Sequence, residues 1–395
     1  MIRACAHGSA APLQGYGPSW GAASTRSIGR QPVTLLWSVI SNLIANLIIA
    51  GTVAAMVIGT SFWKFSGAGR WLRLRFIPQR PDSRVLVTAL PTGQPVHINH
   101  SSPFLSPLTE LEREELVAFY VFLNRARVWN GPVVRLDALH PGIEVSVVGF
   151  HDLITTNLTA YPDNIPIRGV ARRIAALRRW LLMRDIINKV TPHARRSEQR
   201  PPSVGAVLAR RAMANPVAVS FLVEDRHGLL LIVKRSAHVA VASGRFGASC
   251  AGTVSESDLD SPDPFEYAAH RELLEETGVA GATVKGRELL IPLQKMQPVV
   301  ALAGHFDGAW AEQAARFAAA PDAVHEAGGF YTLDPSDLAG VVAFLRAGKC
   351  SEVLAAQIWA YACGQHGETK VAAAWARAKR RLTTGGWEDH LRKVL

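Results

Sequence analysis

The sequence predicts an α/β protein that is preceded by a membrane-spanning helix and an accessory α+β segment. Two apolar segments, 216–224 and 229–234, have the composition of strands, and the turn between them contains Gly228. An acidic run with helical spacing follows at 271–279. Far upstream, no charged residue occurs between positions 31 and 63. Strands followed by a helix indicate the α/β class, and the uncharged stretch indicates the membrane helix.

The N-terminal part of the chain divides by composition. Residues 1–32 are rich in Gly, Ala, Ser and Pro without periodicity, and we expect them to be disordered. Residues 33–63 exceed the roughly 20 apolar residues that span a bilayer, which predicts a single transmembrane helix. The basic linker 64–82 follows, and the positive-inside rule then puts the bulk of the chain in the cytoplasm. A buried hydrophobic hairpin of a soluble domain is the alternative for this stretch.

Composition and charge limit the classes of function. The chain has 395 residues, of which 48% are hydrophobic and 19% charged, enough for a sizeable core. Its four cysteines lack the spacing of a zinc site or a disulfide framework, which favours a reducing compartment. The net charge of +11 indicates polyanionic partners or an anionic membrane surface. No nucleic-acid-binding motif accompanies that charge, so a nucleic-acid partner is not expected.

The region 83–212 is predicted to be an accessory α+β module. Apolar residues at helical spacing predict a helix over 108–127, and segments 133–136 and 143–150 have the pattern of strands. A basic helix is expected over 167–190. Its arginines could face anionic lipid headgroups, gather a phosphorylated substrate, or form a solvated face.

The acidic run contains a possible metal site. Glu272, Glu275 and Glu276 stand at i, i+3 and i+4, which puts them on or near one face of a helix. A hard divalent cation such as Mg²⁺ prefers oxygen ligands and commonly shares its coordination with substrate phosphates. The alternative is a solvated acidic face without a ligand.

The run Arg271 to Val279, RELLEETGV, resembles the core of the Nudix box. The family pattern is Gly-x5-Glu-x7-Arg-Glu-apolar-x-Glu-Glu-x-Gly-apolar, and the helical half matches in register. Asp263 stands where the family has Glu, and Ser257 where it has Gly. Gly252 is the nearest replacement for that glycine, which implies an insertion in the loop that follows it.

The resemblance implies a Nudix-type mixed sheet sandwiched between helices over 213–345. Further helices are predicted over 346–395, outside the resemblance. It also implies Mg²⁺-dependent hydrolysis, with Mn²⁺ as an alternative ion, of a diphosphate linkage in a nucleoside diphosphate derivative such as a nucleotide sugar. Arg271 would orient the glutamates. Glu326 precedes the last strand and is a further metal ligand, a general base, or an exposed loop carboxylate. The metal ligands implied are Glu272, Glu275 and Glu276.

Four further residues are possible substrate contacts. Arg235 and Arg245 flank the strands that lead to the box, and are either diphosphate contacts or surface charges. The region before the catalytic segment is weakly similar to that of UDP-sugar-hydrolysing Nudix proteins. That similarity implies that Thr156 and Asn157 help hold a nucleotide sugar, whereas local hydrogen bonds to the following turn are the alternative.

Two other classes of function remain open on the sequence. A catalytically weak Nudix-like sensor is favoured by the departures at Ser257 and Asp263. A membrane-tethered interaction protein is the second class. The particular substrate and the oligomeric state are not predicted, since selectivity lies in loops rather than in the box.

Overall fold

A mixed β-sheet forms the centre of the computed structural model. The structure describes residues 80–90, 93–124, 128–158, 183–190, 203–236, 239, 241–293, 295–378 and 386–395. Its strands in chain order are β1 (Val85–Ala89), β2 (Val96–Ile98), β3 (Pro132–Ala138), β4 (Ile143–Gly149), β5 (Ala218–Glu224), β6 (Leu230–Arg235), β7 (Phe246–Gly247), β8 (Cys250–Thr253), β9 (Thr283–Pro292), β10 (Val299–His305), β11 (Ala327–Leu333) and β12 (Leu391–Lys393).

The strands form two sheets. In the large sheet the order is β1-β9-β10-β5-β6-β11-β12, with β8 paired to β5 and β7 paired to β6. Strands β5 and β10 run parallel, and the other pairs of this sheet are antiparallel. The small sheet has the order β2-β4-β3. It joins the large one through Val134, whose N–H donates to Val254 O (2.9 Å) and whose carbonyl accepts from Val217 N (2.7 Å).

Helices connect the strands and cover the large sheet. They are α1 (Glu110–Asn124), α2 (Phe150–Leu153), α3 (183–190), α4 (Val204–Leu208), α5 (Pro264–Thr277), α6 (Ala314–Ala319), α7 (Ala323–Glu326), α8 (Leu338–Arg346), α9 (Glu352–His366) and α10 (Glu368–Ala378).

Helix α5 carries the acidic run, and its ends are set by local chemistry. Asp263 is the N-cap and accepts a hydrogen bond from Glu266 N (3.2 Å), and Pro264 occupies the first turn. Gly278 ends the helix in the left-handed region with φ of 68°, a conformation that costs glycine little. These caps fix which residues of the run are helical.

The large sheet lies between two layers of helices because side chains alternate along its strands. On β6, Leu231 and Val233 pack in the core that contains Phe265 and Leu273 of α5. Leu230 and Ile232 pack in a second core on the other face, which contains side chains of the C-terminal helices: Val342, Phe344, Leu354, Ile358, Trp359, Val371 and Trp375. The two faces together bury nearly all of β5 and β6.

The prediction of a membrane-spanning helix is corrected. In the part of the chain that the structure describes, no helix is long and apolar enough to cross a membrane. The longest described helices, α1 and α9, have 15 residues, short of the roughly 20 that a bilayer requires. The predicted span 33–63 itself lies outside the described residues. The fold is thus α/β with mixed sheets, and a single-pass membrane location is not retained.

Candidate functional site

A cavity of about 980 Å³ lies beside the acidic helix. Strands β6, β7 and β8 contribute to its walls, together with α5, the loop before β7, the turn between β9 and β10, and the start of α9. Trp129 and Phe150, which flank β3 and β4, also line it, with ring centroids 6.4 Å apart. The cavity therefore combines charged walls with an aromatic one.

Two glutamates of the run are held against β8. The Glu276 side chain is buried, and its Oε1 accepts a hydrogen bond from Ala251 N (3.1 Å). The Glu272 carboxylate lines the cavity and lies over Gly252. A Cβ at Gly252 would lie 2.0 Å from Glu272 Cδ, so only glycine leaves room for this carboxylate. Gly252, which the sequence suggested as the replacement for the box glycine, thus makes room for the Glu272 side chain.

Burial makes both carboxylates hard to ionise. Burial raises the pKa of Glu272 to about 7. The charge of Arg271 lowers this pKa, and the charge of Glu275 raises it. Burial also raises the pKa of Glu276 well above its usual range. The charge of Arg235 lowers this pKa, and the charges of Glu326 and Glu272 raise it further. A buried and a half-buried carboxylate that repel one another form a cluster that a cation would stabilise.

Arg271 connects three carboxylates. Its Nη1 donates to Glu272 Oε1 and to Glu275 Oε2, both at 2.9 Å. Its Nε and Nη2 donate to the two oxygens of Asp258, each at 3.0 Å. The Asp258 side chain is fully buried, so the bidentate pair fixes the guanidinium and leaves Nη1 to orient the glutamates. Glu275 itself is 38% exposed.

Asp258 lies in the inserted loop and was not predicted. It belongs to a 3₁₀ helix, Glu256–Asp260, and its Oδ2 accepts from Ser255 N (2.8 Å). The spacing Ser-x-x-Asp is a capping-box signature that sequence reasoning could have used to find it. The insertion is therefore a structured loop that supplies a partner for Arg271.

Three further residues that the sequence predicted for the site lie on the same cavity. Arg235, Arg245 and Glu326 all line the cavity. Arg235 Nη2 donates to Glu326 Oε2 (3.3 Å), and Arg235 Nε to Val241 O (3.2 Å). Arg245 Nη1 donates to Cys350 O (3.3 Å). The two arginines thus put positive charge on the same cavity that Glu272 lines.

Thr156 and Asn157 lie elsewhere, in the π-helical turn Ile154–Leu158, and neither lines the cavity. Both are fully buried. Thr156 Oγ1 donates to Asp152 O (2.5 Å), and Asn157 Nδ2 donates to Asn215 Oδ1 (3.2 Å) and to Lys295 O (3.1 Å). Their polar groups bond within the protein, and Asn157 connects the turn Ile154–Leu158 to the turn between β9 and β10.

The residues present fit a hard cation only in part. Among the described residues, no group of three or more His, Cys, Asp or Glu side chains is arranged to hold a metal ion. Arg271 holds Glu275 by a salt bridge (2.9 Å). The half-buried Glu272 and the buried Glu276 nevertheless supply oxygen donors, and Mg²⁺ is usually bound by one or two carboxylates plus substrate phosphates. The donor chemistry of these two glutamates therefore fits Mg²⁺ that arrives with a phosphorylated substrate.

Comparisons with known proteins give a weak similarity. No protein-family model matches the chain, and no curated protein matches it significantly. Among solved structures, it is similar to DR0079 from Deinococcus radiodurans, with 19% identity over 36% of this chain and 80% of that one and a TM-score of 0.27. It is also similar to the MutT protein from Methanosarcina mazei Go1, with 20% identity over 24% of this chain and 64% of that one and a TM-score of 0.19. Both similarities are partial and low-scoring.

Proposed function

We propose that the chain is a Nudix-type hydrolase that cleaves a diphosphate linkage in a nucleoside diphosphate derivative, with Mg²⁺ or Mn²⁺ as the cofactor. The observation that carries the proposal is the half-buried Glu272 beside the buried Glu276, in a site to which Arg271 is fixed by Asp258. Hydrolysis of a diphosphate needs carboxylates that hold the metal ion, and it needs cationic groups near the phosphate oxygens. Arg235 and Arg245 on the cavity wall supply the latter.

Each residue has a distinct role in this mechanism. Glu272 and Glu276, with Glu275 after it leaves Arg271, would hold the ion. When bound, Mg²⁺ would neutralise phosphate charge and lower the pKa of an attacking water. Glu272 is suited to take the proton of that water, because a pKa of about 7 lies near neutral pH. Glu326 is the second candidate for this base, and Arg271 keeps the Glu272 carboxylate oriented.

The substrate would enter against the cationic wall. Arg235 is paired with Glu326 at 3.3 Å, and only 14% of its side chain is exposed. A diphosphate offers this guanidinium two oxygens in the geometry that it prefers. Transfer of Arg235 from Glu326 to the diphosphate would free Glu326 at the moment when a base is needed.

The experiment is a substrate panel tested with the full-length chain. Nucleotide sugars, other nucleoside diphosphate derivatives and nucleoside triphosphates are incubated with Mg²⁺ or with a chelator, and phosphomonoester release is followed by phosphorus NMR. We expect Mg²⁺-dependent release from at least one class. No release from any compound, with none bound, would refute the proposal.

A catalytically weak sensor is the second candidate function. It is favoured by Asp263, which stands at a box position where the family has Glu but here caps α5 and pairs with Arg287. Asp263 is therefore occupied by structural contacts. Binding of a panel compound without turnover, measured by calorimetry, would select the sensor over the hydrolase.

A further inference from the structure

Lys295 lies in the turn between β9 and β10 and lines the same cavity as Arg235 and Arg245. We propose that these three side chains form one anion subsite, in which Lys295 binds a phosphoryl group of the substrate. The inference rests on the proposed function and extends it, since nothing in the box pattern points to this turn.

The backbone of the turn is held firmly. Lys295 N and Met296 N both donate to Pro292 O, at 3.2 and 2.8 Å. Asn157, in the turn Ile154–Leu158, donates from its Nδ2 to Lys295 O (3.1 Å). Met296 is fully buried and has φ of 53°, a left-handed conformation that a methionine adopts only where its surroundings impose it. Lys295 therefore starts from a fixed point on the cavity wall.

The charges around Lys295 favour an anionic ligand. The Lys295 side chain is half-buried at the cavity wall. Burial and the charges of Arg235 and Arg245 lower the pKa of Lys295 to about 8, while Glu352 at the start of α9 opposes this. Arg235 is paired with Glu326, and Arg245 Nη1 donates to a carbonyl rather than to a carboxylate. A bound phosphoryl group would relieve the repulsion among the three cations.

A phosphoryl group matches this arrangement better than a neutral ligand. Its several oxygens can accept from two guanidinium groups and an ammonium at once. The aromatic side chains of Trp129 and Phe150 line the same cavity and leave room for the rest of the molecule. The cavity is thus suited to a substrate with an anionic part and a planar or apolar part.

The test uses inorganic pyrophosphate as the probe, in metal-free buffer at pH 7, with binding measured by calorimetry on the full-length chain. We expect the wild type to bind and Lys295→Met to lose about tenfold or more in affinity, as expected for loss of a charge-assisted hydrogen bond. Lys295→Arg should stay within about threefold. Lys370→Met is the matched control, because Lys370 is an exposed lysine of α10 that does not line the cavity.

A pH series adds a readout that misfolding would not imitate. As pH rises through about 8, Lys295 loses its proton, so wild-type affinity should fall relative to that of Lys295→Arg, whose guanidinium stays charged. The charged groups facing Lys295 are Arg235, Arg245 and Glu352. Parallel pH curves for the two proteins would overturn the subsite.

The outcomes separate this inference from the hydrolase proposal. Lack of pyrophosphate binding by the wild type, or equal binding by Lys295→Met, refutes the subsite even if the panel shows hydrolysis. Binding that depends on Lys295, in a protein that hydrolyses no panel compound, keeps the subsite and removes the hydrolase.

Discussion

Replacement of Gly252 by alanine tests how closely β8 supports the Glu272 carboxylate. The new Cβ would lie 2.0 Å from Cδ and Oε1 of Glu272 and 2.3 Å from Oε2. Gly252 lies in the extended strand β8, so the backbone accepts alanine without strain. The obstructed atoms are the end of a flexible side chain. The substitution should therefore move the carboxylate rather than unfold the strand.

The size of the effect follows from the contact distances. Ordinary contact begins near 3.4 Å, so the Glu272 carboxylate must move by about 1.4 Å, and a misplacement of about 1 Å can lower a rate about 100-fold. We expect kcat to fall by about that factor. Stability should not fall, because alanine is favoured over glycine in a strand by about 0.5–1 kcal/mol.

The assay compares kcat for the best panel compound with the midpoint of thermal unfolding. Gly286→Ala is the matched control, because Gly286 lies in β9 and a Cβ there meets no atom within 4 Å. This control should keep the wild-type kcat. A Gly252→Ala protein with wild-type kcat would show that the position of Glu272 does not govern the reaction.

Two further predictions concern the same cluster. Arg271→Ala leaves the buried Asp258 carboxylate without its cation and should lower the free energy of unfolding, measured in urea, by about 3 kcal/mol. The double variant Arg271→Ala/Asp258→Asn should recover part of this loss. Unchanged stability of Arg271→Ala would contradict the pairing. In metal-free buffer, the Glu272 carboxyl has a pKa raised from 4.5 to about 7, so the folded state holds its proton longer. Stability should fall by up to about 3 kcal/mol as pH rises through that window, and Glu272→Gln should be flatter there. Equal slopes for the two proteins would refute this.

The helical half of the site could be predicted from the sequence because it depends on local spacing. The positions of Arg271, Glu272 and Glu276 follow from a periodic run with a proline before it and a glycine after it. Helix geometry alone then puts an arginine and two glutamates on one side of α5. Neither relation requires knowledge of distant residues.

The rest depends on contacts between distant segments, which local patterns do not encode. Asp258 reaches Arg271 only because the inserted loop folds back on the helix. Lys295 lies in an inter-strand turn whose letters indicate nothing beyond a connection. Asn157 is held by Asn215 and by that turn rather than by its sequence neighbours. Strand β1 pairs with β9 across a long separation in the chain, so its place in the central sheet was also not visible.

The hydropathy of 33–63 predicted a membrane helix. Among the residues that the structure describes, which do not include 33–63, no helix is long and apolar enough to cross a membrane. Apolar composition and length were the whole basis for that prediction. The account of the site does not depend on this segment.

Glu276→Gln tests most directly whether the half-buried Glu272 and the buried Glu276 of α5 perform metal-dependent diphosphate hydrolysis. Glutamine can still accept the hydrogen bond from Ala251 N, and it replaces a carboxyl whose pKa is already raised by burial, so the fold should be kept. The measurement is the initial rate of Mg²⁺-dependent phosphomonoester release by the two proteins at equal concentration. The account predicts release by the wild type and none by Glu276→Gln at an unchanged unfolding midpoint. Full activity of Glu276→Gln would contradict it.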